Sequence, residues 1–207
     1  MKNICLIAAF YLGSVFAGFA QTVTEGAPKY VSPKQIAATG QAPGMKVQLL
    51  SDTGGQKEYA VIFSTGDDAY TGLRDFAQKY QVMSAHFTAI GAVDDATLGW
   101  FDPSRKLYKL MPFTGQMEVA AMIGDIALNQ GKPFIHTHAV LSLPDGTTRA
   151  GHVVKLVVRP TLEVMVTVDP KGMQRQIDPA TDLNLITPTQ VSSPIYVGNA
   201  PRNERSE

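Results

Sequence analysis

The chain has 207 residues, 44% of them hydrophobic, and 18 Lys and Arg balance 18 Asp and Glu. A formal charge of zero gives no bulk attraction for nucleic acid or for an anionic membrane. The length suits one domain with a full core, and a single cysteine excludes a disulfide framework within the chain.

The first twenty residues read as a secretory signal. Lys2 supplies the positive start, Ile4 to Phe19 carries no charge, and Gly18-Phe19-Ala20 puts small residues ahead of Gln21. The apolar run falls short of the roughly twenty residues a spanning helix needs, and Gly13 and Gly18 interrupt it. Cys5 lies inside this segment and lacks the small-residue context that lipoprotein processing requires. The expectation is an exported protein, periplasmic or secreted, whose mature form has no thiol. No later segment is long and apolar enough to span a bilayer.

Residues 21–45 read as an extended arm, with Pro28, Pro33 and Pro43 and a short helical turn from Ser32 to Ala38, where Ser32 caps and Pro33 starts. The domain proper spans 46–187. Tyr59 to Ser64 is β-branched and aromatic, hence a strand. Asp67 and Asp68 open a helix whose Leu73, Phe76, Ala77 and Tyr80 recur at helical spacing. Ser84 to Val93 is a strand ending at Asp94-Asp95. Ala96 to Asp102 and Leu107 to Phe113 form a hairpin around Pro103-Ser104-Arg105. Gln116 to Ala127, apolar with Gly124, suits a strand or a short helix, and the strand is favoured. Phe134 to Leu143 and Thr147 to Val158 flank Pro144-Asp145-Gly146, a hairpin signal. Thr161 to Val168 follows Pro160, which signals a bend or a sheet edge. Residues 188–207, with Pro188, Pro194 and Pro201, form a tail, either frayed or packed through Ile195, Tyr196 and Val197. Strands joined by short turns give an α+β class, a mainly antiparallel sheet with one or two packed helices.

The chemistry concentrates in histidine. Alternate side chains of a strand share a face, so His136 and His138 project together and offer two nitrogen ligands for a borderline metal such as zinc. His152 lies on the return strand, and register decides whether it joins them. A two-residue Asp145-Gly146 turn would oppose His152 to Ala139, on the wrong face. One extra residue, from a three-residue loop or from a bulge at Gly151, would place it beside His138. The other reading is an ordinary hydrogen-bonded histidine group. His86 stands apart, expected as a half-buried strand residue. Glu163, a carboxylate among Leu162, Val164 and Met165, is a candidate acid/base near a metal, a partner for a histidine or for Arg159, or an outward-facing strand residue. Glu118 is a weaker case of the same kind. Neither a Gly-x-Ser-x-Gly nor a P-loop pattern occurs.

Several separate stretches, in order, carry a family resemblance. They are Phe87 to Asp102, Glu118 to Leu128, Gly131 to His138, Asp145-Gly146, Ala150-Gly151-His152, and Arg159 to Val164. Together, over about Glu58 to Val168, they resemble the PPC domain, found in plants and prokaryotes. The resemblance implies an α+β fold that associates as a homotrimer and looks like acetolactate decarboxylase, an enzyme with a three-histidine zinc site. It implies His136, His138 and His152 as the metal ligands and places Glu163 in the family's Pro-Thr-Leu-Glu motif. The family's DNA-binding label comes largely from basic AT-hook segments in its plant members. This chain has no Arg-Gly-Arg-Pro core and no basic run, so nucleic acid is not expected as a partner. The resulting expectation is an exported homotrimer with a zinc site, binding or acting on a small anionic or carbonyl-bearing molecule. The alternative is a metal-free structural or partner-binding trimer.

Overall fold

The computed structural model describes residues 22–37 and 39–188. The signal segment and the C-terminal tail lie outside the described residues. Ten strands share one sheet: β1 Thr24–Glu25, β2 Lys29–Val31, β3 Lys46–Thr53, β4 Gln56–Ser64, β5 Ser84–Asp102, β6 Leu107–Asn129, β7 Lys132–Ser142, β8 Thr148–Val168, β9 Gln174–Ile177 and β10 Asn184–Thr187. All pairings are antiparallel except β6 with β9. Among the described residues, one α-helix, α1 Ala69–Lys79, packs on the sheet, and a single 3-10 turn occupies Pro33–Gln35. No helix among the described residues is long and apolar enough to cross a membrane.

The four long strands close on themselves. β6 pairs with β5 and β7, β7 with β6 and β8, and β8 with β7 and β5. Closure hides strand edges that would otherwise invite foreign pairing. Alternation supplies the filling: Tyr59, Val61 and Phe63 of β4 and Leu162, Val164 and Val166 of β8 point inward, joined by Phe87, Leu98, Phe113 and Leu156. The helix lays Leu73, Phe76 and Ala77 on this core, and Phe76 meets Tyr59 edge-on, ring centroids 5.3 Å apart.

The helix starts where the sequence indicates. Asp68 is the N-cap, its Oδ1 accepting from the Thr71 amide at 2.7 Å, and its Oδ2 accepts from the Leu156 amide at 3.1 Å. One carboxylate thus caps the helix and pins it to β8. Asp67 accepts from the amides of Gly44 and Ser64 at 2.8 and 2.9 Å, tying down the end of the arm.

Three expectations change. The pieces expected as separate strands are continuous: β5 runs through Asp94-Asp95 by shifting register between Ala89 and Gly91 and between Val93 and Asp95. Asp95 meets Lys155 at 2.6 Å and Asp94 meets Arg159 at 3.4 Å, so strand-interior carboxylates are paired rather than strand-ending. Of the two readings of Pro160, the bend holds and the edge does not: it lies in β8, between β5 and β4. It is accommodated because the β5 ladder skips from Leu162 to Val158, leaving a bulge where no donor is needed. The arm, finally, carries β1 and β2, both paired to the first half of β6.

Candidate metal centre

The β7–β8 hairpin decides the site. His138 opposes His152, Ala139 opposes Gly151 and Ser142 opposes Thr148, the register that one extra residue produces. The extra residue is in the turn. The Gly146 amide bonds to the Leu143 carbonyl at 2.9 Å, the Leu143 amide to the Thr147 carbonyl at 2.8 Å, and Gly146 takes φ +80°. This is a three-residue turn closed by a left-handed glycine. Asp145 Oδ1 fixes it by accepting from the amide and hydroxyl of Thr147. Gly151 is not a bulge. It is a glycine because a Cβ there would come within 2.8 Å of the Gly99 carbonyl oxygen.

On β7, Ile135, Ala139 and Leu141 face the core, so His136 and His138 face the other way. With His152 across the ladder, one nitrogen from each of the three imidazoles lies within 4.8 Å of the others. Ring centroids stand 5.2, 5.4 and 5.6 Å apart. His152 is the buried member at 8% exposure, stacked on Tyr108 of β6 at 5.1 Å and 29°. Its Nδ1 is buried with no hydrogen-bond partner among the described residues. Burial, with the neighbouring His136, His138 and Arg175, pushes its pKa down to about 3. The ring is therefore neutral at physiological pH, the form that donates a lone pair to a metal. His138 is also lowered, by burial and then by His136.

A polar chain backs the cluster. His136 Nδ1 faces Asp125 Oδ2 at 3.6 Å, which leaves its Nε2 free to act as the metal ligand. Asp125 also accepts from the buried Arg175, whose other terminal nitrogen donates to the Asn184 carbonyl at 2.7 Å. Burial pushes the Asp125 carboxyl up, but the His136 imidazole and the Arg175 guanidinium outweigh it and hold it below the usual carboxylate range. A carboxylate on the far nitrogen of a ligating histidine orients the ring and raises its basicity. Asp125→Asn is expected to weaken zinc binding by about 10- to 100-fold, measured by competition with a chromophoric chelator.

Sequence reasoning missed Asp125, though a signal existed. Gln130-Gly131 is a two-residue turn with φ of 51° and 75°, which fixes Asn129 opposite Lys132 and so Asp125 opposite His136. Tyr108 and Arg175 approach only through tertiary packing and leave no local signal. His86 is exposed rather than half-buried, on β5 opposite Asp125, with Asp169 as its acidic neighbour at 3.9 Å.

The structure does not bring Glu163 to the histidines. It is exposed, opposite Ile62 and Ile90, beside Glu118 in a shallow depression. The depressions it lines contain none of His136, His138 and His152. Arg159 pairs with Asp94 instead of with Glu163.

A closed antiparallel ring carrying three converging imidazoles with a carboxylate behind one of them defines a β-rich domain built around a candidate metal centre. Residues 50–169 match the Plants and Prokaryotes Conserved (PCC) domain, the family whose motifs the sequence carries. The chain belongs to that family. No curated protein matches it. Among solved structures, it is similar to a candidate DNA-binding protein of Ralstonia eutropha JMP134, at 30% identity and TM-score 0.61 over 68% of this chain and 96% of that one. It is similar to a metal-containing protein of Archaeoglobus fulgidus, at 25% identity and TM-score 0.60 over 70% and 98%. The fold is shared with a plant- and prokaryote-conserved protein of Pyrococcus horikoshii, at 24% identity and TM-score 0.61 over 70% and 97%.

Proposed function

We propose that this protein is an exported member of the family that binds a divalent metal, zinc by preference, through His136, His138 and His152, and uses it to bind or act on a small molecule. The observation that carries this reading is the convergence of three imidazoles, one of them neutral, buried and unpartnered at Nδ1. Three histidine nitrogens suit zinc and leave a coordination position for a ligand. A bound zinc would polarise a carbonyl or lower the pKa of a water. The likeness to the Archaeoglobus protein, described as metal-containing, supports the same reading. Within one chain, Glu163 lines depressions that the three histidines do not share, so the reading assigns it no step. The DNA-binding description of some relatives is not carried over, because the formal charge is zero and the bases at Lys57, Lys155 and Arg159 are spent in ion pairs.

Elemental analysis of protein purified without chelator tests the proposal. About one zinc per chain is expected from one three-histidine site in each chain. Metal far below that level, with no change in melting temperature on adding zinc, removes it.

We further propose a homotrimer. Ile90 and Ile123 are 62% exposed and Met165 48%. Thr88 opposes both Met165 and Ile123, and Ile123 opposes His138, so an apolar surface row ends at the histidines. Apolar surface of this kind favours association. Light scattering at micromolar concentration is expected to give three chains, and Ile123→Glu to shift the mass toward one. A monomeric wild type removes the trimer without touching the metal site.

A further inference from the structure

The outer face of the sheet carries unlike chemistry on its two flanks. His138 on β7, Ile123 on β6, Thr88 on β5 and Met165 on β8 follow one another across four strands. One step along β5 and β8, Ile90 opposes Glu163. Glu163 and Met165 alternate with the buried Leu162 and Val164, so both side chains stand on the outer face. Histidines thus border the apolar middle on the β7 flank, and a carboxylate borders it on the β8 flank.

The carboxylate flank is not neutralised. Glu163 shares one depression with Glu118 and Ile90. Neither glutamate forms an ion pair among the described residues, and Arg159 is spent on Asp94. Two like charges in one depression, beside exposed apolar side chains, favour a cationic neighbour. The histidine flank has the opposite need. Imidazole ligands are neutral, so three of them leave the charge of a divalent ion uncompensated. Asp125 behind His136 does not supply the balance, because Arg175 already pairs with it.

Symmetry joins the two needs. A closed ring of three copies uses a heterologous contact, one patch against a different patch of the next copy. With the apolar middle toward the three-fold axis, each flank meets the opposite flank of its neighbour. Charge complementarity then sets the β7 histidines of one copy against the β8 carboxylate of the next.

We infer that Glu163 of the partner subunit faces the three imidazoles and supplies the negative charge that the metal centre lacks within one chain. Each centre is then shared by two neighbouring copies and is complete only in the assembly. Glu118 has no such part, because it lies on β6, between the flanks. The inference rests on the metal and trimer readings above and gives Glu163 a place that a single chain denies it.

Zinc affinity tests it, measured by competition with a chromophoric chelator on full chains whose mass is followed by light scattering. Glu163→Gln is expected to weaken zinc by at least about tenfold, the lower range for a group that acts beside the ligands. Glu118→Gln is expected to leave zinc affinity unchanged. Co-expression of His152→Ala chains with Glu163→Gln chains then separates a neighbour's carboxylate from the chain's own. Random assembly of trimers gives about one chain in four both its three imidazoles and an intact neighbouring carboxylate. Tight zinc sites are expected to return at that level, although neither variant has them alone. Wild-type affinity in Glu163→Gln overturns the inference. So does a co-expressed mixture without tight sites, which would confine any role of Glu163 to its own chain. A monomeric wild type overturns it too and leaves the metal reading standing. Wild-type protein that takes up no zinc defeats the metal reading instead.

Discussion

Replacing His152 with alanine is expected to abolish zinc-dependent stabilisation while the protein still folds. The wild type, held at a hundredfold excess of zinc over its dissociation constant, gains about 2.7 kcal/mol from mass action alone. For a domain of this size, each kcal/mol moves the melting temperature by roughly 2–4 °C, so a shift on the order of 5–10 °C is expected. His152→Ala removes one of three ligands. The loss should exceed the roughly 100-fold upper range of losses of groups that only orient a ligand, and the shift should vanish. The variant also leaves a void against Tyr108, so its zinc-free melting temperature falls a little below wild type. His136→Ala and His138→Ala leave no comparable void, since both side chains are more exposed, and separate ligand loss from packing loss. His86→Ala is the control, because His86 is exposed and outside the cluster. Differential scanning fluorimetry with and without zinc decides the matter. A full zinc shift retained in His152→Ala would mean the third imidazole is not a ligand.

The same ring shows how far the sequence could be read. Its inclusion depended on a count: two residues in the turn put His152 with the core-facing side of the ladder, three put it beside His138. Period-two alternation makes such a count decisive, because a slip of one residue exchanges the faces of a whole strand. The sequence supplied both candidate causes, Gly146 and Gly151, and the energetics chose the first. A glycine at φ +80° closes the turn, whereas Gly151 is needed for the close approach of Gly99. Asp125 was equally within reach, since a two-residue turn at Gln130-Gly131 fixes its partner. What no local pattern could show is the roof. Tyr108 reaches His152 from the start of β6, and Arg175 reaches Asp125 from a four-residue strand fifty positions on, which pairs with β6 over only two residues. Long strands were broken in the reading because Asp94-Asp95 and Pro160 signal interruption, and bulges with ion pairs to Lys155 and Arg159 absorb them. The sequence leaves Glu163 open between several roles. Of the readings open for it, the outward-facing strand residue is the one the structure shows: Leu162 and Val164 point to the core face of β8, while Glu163 and Met165 share the exposed face.

Acid should destabilise the metal-free protein well before its carboxylates titrate. His152 has a folded pKa of about 3 against an ordinary value near 6.5, because burial and the neighbouring His136, His138 and Arg175 oppose its charge. The unfolded chain therefore binds a proton between these values that the folded chain refuses. Stability contributed by the neutral ring is complete above about pH 6.5 and declines as pH falls toward 3. Linkage over that window gives a loss of about 2 kcal/mol between pH 7.5 and pH 5. Asp125 adds a decline of the same sign at lower pH, since its folded pKa is depressed and its contribution disappears as it protonates, below about pH 4. Urea unfolding in the presence of chelator, at fixed protein concentration so that association does not confound the comparison, should show the slope between pH 7.5 and 5. His152→Gln, which cannot titrate, should lose most of it. Equal slopes in the two proteins would show that the His152 ring meets water freely, and the neutral, poised imidazole on which metal uptake rests would be lost with it.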